Sequence, residues 1–471
     1  MTGPSFTPPS SPNSASAPRT LSATGLPAMA SLNEESNLLF IWIQNLKQNV
    51  LLRNIGLVSL ATVIGHICGF VSAIVTRTLL DPNLMGIWSG LRIFLSYGNY
   101  AGLGISKGAA REIAIEEGRG NTKHIQHVMN TAFTFNTLTS TCYMIVILIM
   151  AILIRSHISS NLSHYWVGGL TSIAIFVVLQ RYVTFAITVL RARQRFDLTA
   201  RLSVLEAILS LSVIGIGVWL FGFWGLLLSS GCVFIASVLY IHLYTPVRFV
   251  FTWDSDMGKR LLKSGFPILL NGALFSILQS LDRLMILVYF TDREYQLGCY
   301  SLALMVNGAL FGIGNIVGVV MYPRYQHTYG ATGNPCNISH MANRVMLYKG
   351  CLLLVLTCIC VFIVRPLLET WFTAYRPGIN PMMALLPGTV LLALTLPMNH
   401  FLVTIHRQKT LVGITLTGIL LAISANLAVL TREGGITEVA WATSTTYGIF
   451  FLLTSWVYHK EVQRAASNAS V

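Results

Sequence analysis

Arginine set within apolar runs is the feature of this sequence with the most chemistry in it. The stretch "IAIFVVLQRYVTFAITVL", Ile173 to Leu190, is apolar enough to lie in hydrocarbon, yet Gln180 and Arg181 stand near its middle. A charge at a bilayer centre costs roughly 2.5 to 3.5 kcal/mol on insertion scales, so it is expected to face a cavity or a partner. Arg181, Thr184, Thr188 and Arg191 fall at the intervals that align side chains along one face of a helix. The same intervals join Ser89, Arg92, Ser96 and Asn99, while Ser276, Gln279 and Arg283, with Asp282 adjacent, form a third polar face. Three such faces predict a wet, cationic space between helices. A guanidinium grips an anion through parallel donors and stays charged at any relevant pH, and Ser96, Asn99, Thr184 and Gln279 offer further polar contacts. The candidate binding residues are therefore Arg92, Arg181, Arg283, Asn99 and Gln279. A structural reading stands beside this one, in which each arginine satisfies carbonyls or pairs within its own lobe, Arg283 with Asp282 or Arg181 with Glu206.

Other polar groups in apolar runs divide the same way. Lys349 is a further binding candidate, or a side chain that snorkels to the nearby interface. His66 is a candidate proton switch, or a packed and hydrogen-bonded imidazole. Arg365 and Glu369 are four apart and are expected to pair along their helix. His124 and His127 have no further ligands nearby in sequence, so no metal site is expected. The eight cysteines lack CxxC spacing and fall mostly in apolar windows, where they serve as small packing residues. With no GxxxxGK[ST] loop and no HExxH, neither catalytic residues nor a cofactor are expected.

The elements that must position these groups follow from composition. Of 471 residues, 54% are hydrophobic and only 10% charged, and the mean hydropathy is +0.65, which is too apolar for a soluble protein of this length. A spanning helix needs about 20 mostly apolar residues. Such windows recur at 54–76, 84–106, 125–154, 165–190, 202–221, 224–245, 264–290, 297–322, 345–371, 379–405, 411–430 and 436–457. Twelve transmembrane helices in an all-α membrane protein are predicted. The net charge of +14 does not point to nucleic acid, because the basic residues are spread over many joints without base-stacking aromatics. Most of them lie on the side of the termini, with only Arg77, Arg155, Arg293, Arg376 and Arg432 on the other face. Both termini are then cytoplasmic. Residues 1–37 are expected to be a disordered tail, 38–50 an interfacial helix carrying Trp42, and 459–471 a second cytoplasmic tail. The short joints leave no room for a catalytic domain outside the membrane.

Two halves echo each other. Gly86-Ile87-Trp88-Ser89 aligns with Gly298-Cys299-Tyr300-Ser301, and Arg193-Gln194-Arg195 with Arg407-Gln408-Lys409. Residues 51–247 and 248–458 are thus predicted to form two six-helix lobes related by a pseudo-two-fold axis along the membrane normal, a common transporter plan. Gly65 and Gly69, with Ala61 and Ala73, form a small-residue ridge expected to pack closely on another helix. Pro267, Pro381, Pro387 and Pro397 are candidate bending points.

The runs "RTLLDPNLMGIWSGL", "GLGISKGAAREIA", "LRARQRFDLTARLSVLEAILSL", "LDRLMILVYFTDREYQLGCYSLAL" and "HRQKTLVGITLTGILLAISANLAVL" resemble the polysaccharide transporter, or oligosaccharide (O-unit) flippase, family. It lies within the multidrug/oligosaccharidyl-lipid/polysaccharide exporter superfamily. The resemblance implies a V-shaped alternating-access transporter in the cell (inner) membrane, not an enzyme. Its cargo would be a lipid-linked oligosaccharide on a polyprenyl pyrophosphate, carried from the cytoplasmic to the outer leaflet, with a polysaccharide polymerase and glycosyltransferases as candidate partners. A drug or cation extruder of the same superfamily is the alternative, and an integral-membrane glycosyltransferase or polymerase a more distant one.

Overall fold

A backbone that crosses hydrocarbon has no water to satisfy its N–H and C=O groups, so apolar windows of this length must close their hydrogen bonds locally as helices. The computed structural model describes residues 50–157 and 162–469. Its helices are α1 (Val50–Leu79), α2 (Pro82–Gly98), α3 (Ile105–Arg119), α4 (Thr122–His157), α5 (Ser163–Ala192), α6 (Phe196–Tyr244) and α7 (Ser255–Tyr289). They continue with α8 (Arg293–Thr332), α9 (Pro335–Ile359), a π-helical turn at Cys360–Val364 and α10 (Arg365–Trp371). A 3-10 turn at Thr373–Gly378 leads to α11 (Ile379–Thr404), α12 (Gln408–Leu430) and α13 (Ile436–Ala469). No strand occurs among the described residues. Nine helices in that set are long and apolar enough to cross a membrane. The chain divides into Met1–Arg53 and Asn54–Val471. Of the first unit only 50–53 are described, so the expected tail at 1–37 and nearly all of the interfacial helix at 38–50 lie outside the described residues.

Each of the twelve windows falls on a helix, with one boundary corrected. The second window, 84–106, ends as helix at Gly98. A turn over 99–104 follows, with Leu103 at φ 48° and Gly104 at φ 94°, and α3 starts afresh at Ile105. The apolar run continues through this turn, so hydropathy alone carries the span too far. The fifth and sixth windows form a single run, α6, broken at Gly222, whose φ of 57° and ψ of −131° only glycine adopts readily. The two arms then fold back tightly enough that a Cβ at Gly225 would stand 1.8 Å from the Gly217 carbonyl oxygen. Pro267 lies inside α7, and Pro387 and Pro397 inside α11.

The first-half helices pack on one another, α5 against α4, α6 and α2, and the second-half helices likewise, α11 against α13, α8 and α9. The halves meet where α2 crosses α8 and where α3 crosses α7. Both crossings are built from glycine. A Cβ at Gly86 would stand 1.8 Å from the Glu294 carbonyl oxygen, and one at Gly298 would stand 1.8 Å from that of Pro82. The repeated Gly-x-x-Ser sequence thus supplies both sides of one contact. At the other crossing a Cβ at Gly265 would meet the Gly104 carbonyl oxygen at 2.0 Å. Side chains facing away from these contacts are large and apolar, among them Trp219 at 72% exposed and Phe362 at 76%, as expected for surfaces solvated by lipid.

The segment between α6 and α7 is extended and tied along α4. Gln126 Nε2 donates to the Arg248 carbonyl, the Val250 N–H donates to Asn130 Oδ1, and the Thr252 N–H donates to Thr134 Oγ1. The spacing works because four helical residues rise about 6.0 Å and two extended residues about 6.6 Å. Phe133 stacks on Phe249 with centroids 4.6 Å apart. Asp254 ends the segment, its Oδ1 accepting the N–H groups of Asp256 and Met257 to cap α7 while its Oδ2 meets His127 Nε2 at 2.8 Å. The Met257 N–H, and then His127, hold the Asp254 carboxyl below the usual range.

Candidate functional site

Where α1 and α2 of the first half face α7, α8, α11 and α13 of the second, the helices enclose a cavity of about 540 Å³. Its wall includes Arg77, Arg92 and Arg283 with Asp282 as its one carboxylate, and His66, Gln279, Ser89, Ser96, Ser301, Asn307, Thr389 and Tyr447. Three guanidinium groups against one carboxylate leave the space net cationic.

The four charges are held very differently. Asp282 is buried and spoken for: Tyr300 donates its hydroxyl to Oδ2 at 2.7 Å, and Oδ1 accepts the Arg283 N–H at 2.7 Å. Arg283 stands beside it, Nε 3.7 Å from Oδ1, and donates one Nη to the Gln279 carbonyl at 2.9 Å. Arg77 donates to the carbonyls of Ala73 and Ser301 at 2.9 and 2.8 Å. Among the described residues Arg92 makes no hydrogen bond or ion pair, and its side chain is exposed to the cavity. It is a permanent cation, preorganised and unspent.

Arg92, Arg283, Gln279 and His66, all expected at the site, line this one cavity. His66 fills the space a side chain at Gly312 would need, and among the described residues it bonds to nothing. Arg181 and Asn99 are elsewhere. Arg181 is buried in the first half, one Nη donating to the Asn99 carbonyl at 2.9 Å and the other to Asn136 Oδ1. Its guanidinium occupies the space of any side chain at Gly102. Asn99 is the last cap of α2, so Arg181 places a cation at that helix's negative end. The pairing with Glu206 does not form; Glu206 instead accepts from the Ser237 hydroxyl at 2.9 Å. Arg181→Ala therefore strips the part-buried Asn99 carbonyl of its donor and leaves the buried Asn136 Oδ1 with only the long bond from the Ser106 hydroxyl at 3.5 Å. It should lower stability by about 2–4 kcal/mol, seen as a lower melting temperature in detergent, without direct loss of cavity affinity.

Lys349 is also outside the cavity. Its stem passes Gly314, its Nζ donates to the Ala393 carbonyl at 2.5 Å, and it borders a separate apolar space of about 440 Å³ between α8 and α9. Arg365 and Glu369 pair at 3.0 Å as expected. His124 is less isolated than its sequence neighbours indicate: ligand atoms of Glu112, Glu116 and His124 lie within 4.8 Å of one another. Glu116 is engaged in an ion pair with Arg119 at 2.7 Å, and Glu112 stands 3.5 Å from His124 Nε2.

Arg77 is the residue that sequence reasoning missed, because it follows the apolar window and reads as an outer-face loop arginine. The signal was present. Gly65, Gly69 and Ala73 form the small-residue ridge on α1, and the next position in that series is Arg77. The ridge is not a packing seam: a Cβ at Gly65 or Gly69 would meet nothing within 4 Å, and Gly65, Gly69 and Ala73 line the cavity.

Residues 51–328 match the model of a family described as polysaccharide biosynthesis protein. No curated protein sequence matches the chain. Among solved structures, the fold resembles an inward-facing multidrug resistance MATE family transporter of the MOP superfamily, with TM-score 0.69, 13% identity, and coverage of 86% of this chain and 96% of that one. It also resembles the MATE multidrug transporter DinF-BH, with TM-score 0.62, 14% identity, and coverage of 87% and 95%. A MOP superfamily transporter from Pyrococcus furiosus, described as having a binding pocket of reverse polarity, superposes with TM-score 0.59 at 15% identity over 88% and 96%.

Proposed function

This chain belongs to the polysaccharide biosynthesis protein family, and from that premise we propose that it is a flippase carrying a lipid-linked oligosaccharide, anchored through a polyprenyl pyrophosphate, from the cytoplasmic to the outer leaflet. The observation that carries the reading is the charge of the inter-half cavity, three arginines facing one committed aspartate. Like charges gathered in a cavity walled by helices repel one another, and an anion that enters relieves that repulsion. A pyrophosphate offers both the charge and the acceptor oxygens that guanidinium matches with paired donors. Ser89, Ser96, Gln279 and Asn307 supply polar partners for the first sugar. The isoprenoid chain stays in lipid.

The setting follows from the same reading. The protein lies in the cell membrane with both termini cytoplasmic, the lobes at 51–247 and 248–458 alternate access, and the α2–α8 crossing is the outer contact while α3–α7 is the cytoplasmic one. Glycosyltransferases supply the cargo and a polymerase consumes it. Extrusion of organic cations, the activity of a multidrug pump, is disfavoured here because the cavity would repel them. A glycosyltransferase or polymerase would need free carboxylates to act on sugar, and Asp282 is already bound by Tyr300 and Arg283.

Purified protein in liposomes should move a fluorescent lipid-pyrophosphate oligosaccharide between leaflets, read as loss of protection from a membrane-impermeant quencher, and should leave a fluorescent organic cation where it is. Correctly folded protein that moves no oligosaccharide would overturn the proposal, and movement of the cation instead would favour the extruder.

A further inference from the structure

Arg77 stands at the end of α1 with 6% of its surface exposed, yet among the described residues no carboxylate partners it. One Nη donates to Ala73 on its own helix, the other crosses to the Ser301 carbonyl on α8, and Nε has no partner among the described residues. Ser301 is one turn beyond Gly298, so this bond ties the halves beside the glycine crossing of α2 and α8. The same guanidinium lines the cavity. It therefore belongs to two structures at once, the cargo space and the outer contact.

We propose that Arg77 couples the two: an anion entering the cavity draws its guanidinium away from Ser301 and so loosens the outer contact. The inference rests on the anionic-cargo reading above. A pyrophosphate oxygen adds a full opposite charge and a bidentate match to the guanidinium, where the Ser301 oxygen offers a single neutral acceptor, so pyrophosphate oxygens outcompete it for the same N–H. Losing that bond removes one polar tie across the crossing and leaves two neighbouring ones, the Tyr375 hydroxyl donating to the Leu80 carbonyl at 2.7 Å and Trp166 Nε1 donating to Glu294 Oε1 at 3.0 Å. By linkage, a closed outer contact must weaken anion binding by the factor with which the anion opens the contact. Arg92 and Arg283 are placed differently. Among the described residues Arg92 makes no hydrogen bond or ion pair, and Arg283 bonds only within α7, so neither holds a hydrogen bond across the crossing for an anion to take away.

The test uses the full chain in nanodiscs with undecaprenyl pyrophosphate as probe, following binding by titration and hydrogen exchange over residues 82–88 and 294–301. Saturating probe should raise exchange in both segments of the wild type about fivefold or more. Arg77→Gln should show raised exchange without probe, weaker but saturable binding, and no further rise at saturation. Arg77→Lys, which keeps the charge but cannot hold both carbonyls in the same fork, should fall between them and covers the case in which the glutamine variant folds poorly. Tyr375→Phe should raise basal exchange and still respond to probe. A wild type that binds probe without a change in exchange, or saturated Arg77 variants that respond as the wild type does, would overturn the coupling and leave the cargo reading intact. A wild type that binds no probe would sink both.

Discussion

Arg92→Ala should weaken binding of a polyprenyl pyrophosphate about tenfold to a hundredfold while leaving the protein as stable as the wild type. The two halves of that expectation come from one observation. Among the described residues Arg92 has no hydrogen bond or ion pair, although its side chain reaches the cavity. Removing a group with no partner orphans nothing, so melting should not fall; relief of its repulsion with Arg77 and Arg283 acts if anything in the stabilising direction. Binding is different, because a charge-assisted bond contributes about 1.5–3 kcal/mol, and each 1.4 kcal/mol or so is a tenfold change. Arg92→Lys should recover part of the loss, since it restores charge without the paired donors. Unchanged affinity in the alanine variant, measured by titration with the probe, would remove Arg92 from the site. Set beside Arg181→Ala, which should cost stability and spare affinity, the pair separates two arginines that look alike in sequence.

Gly298→Ala should shift the protein toward a state open at the α2–α8 crossing and suppress transport. The new Cβ would stand 1.8 Å from the Pro82 carbonyl oxygen and 3.0 Å from its Cα. Both are backbone atoms of a helix start fixed by proline and by the Asp81 cap, so no side chain can swing aside. Overpacking of this kind costs about 1–3 kcal/mol, and all of it falls on the conformation in which the helices touch. The closed population should therefore drop about tenfold or more relative to the open one. Cys299 is wholly buried beside this contact. A membrane-impermeant maleimide should leave it unmodified in the wild type and label it in Gly298→Ala, as located by peptide mass spectrometry. Gly86→Ala, aimed at the Glu294 carbonyl, should behave alike. Full protection of Cys299 together with normal transport would show that the crossing tolerates separation without opening.

Much of this was legible in the chain because hydropathy and helical spacing report local physics. The windows found the helices, the Gly86 and Gly298 echo marked two positions that meet, and the face of Ser89, Arg92 and Ser96 lines the cavity. The errors share a cause. Spacing tells which residues share a helix face but not what that face looks toward. Arg181 and Arg92 sit in matching patterns, yet one faces Asn99 and Asn136 inside its own bundle and the other an open cavity. The α1 ridge likewise had the composition of a packing seam and proved to be a cavity wall. Arg77 was hidden by a boundary, being assigned to a loop although α1 continues through Leu79. The end of α2 was hidden by the glycines at 98, 102 and 104, which keep the turn apolar while breaking the helix.

The segment from Thr245 to Asp254 gives the molecule a fulcrum. It carries the chain from one half to the other, yet it is fastened to α4 through residues 248, 250 and 252, and to His127 through Asp254, which is already the cap of α7. These bonds join the first half directly to the first turn of α7, so a tilt of α7 against the first half must turn about this segment or break them. With 35 residues, α7 is a lever about 50 Å long. A tilt of some ten degrees at Asp254 then displaces its far end by about 9 Å, close to the breadth of a helix. Under the alternating-access reading proposed above, the tether that looks like a restraint at one end of α7 is what turns a small rotation there into a wide opening at the other.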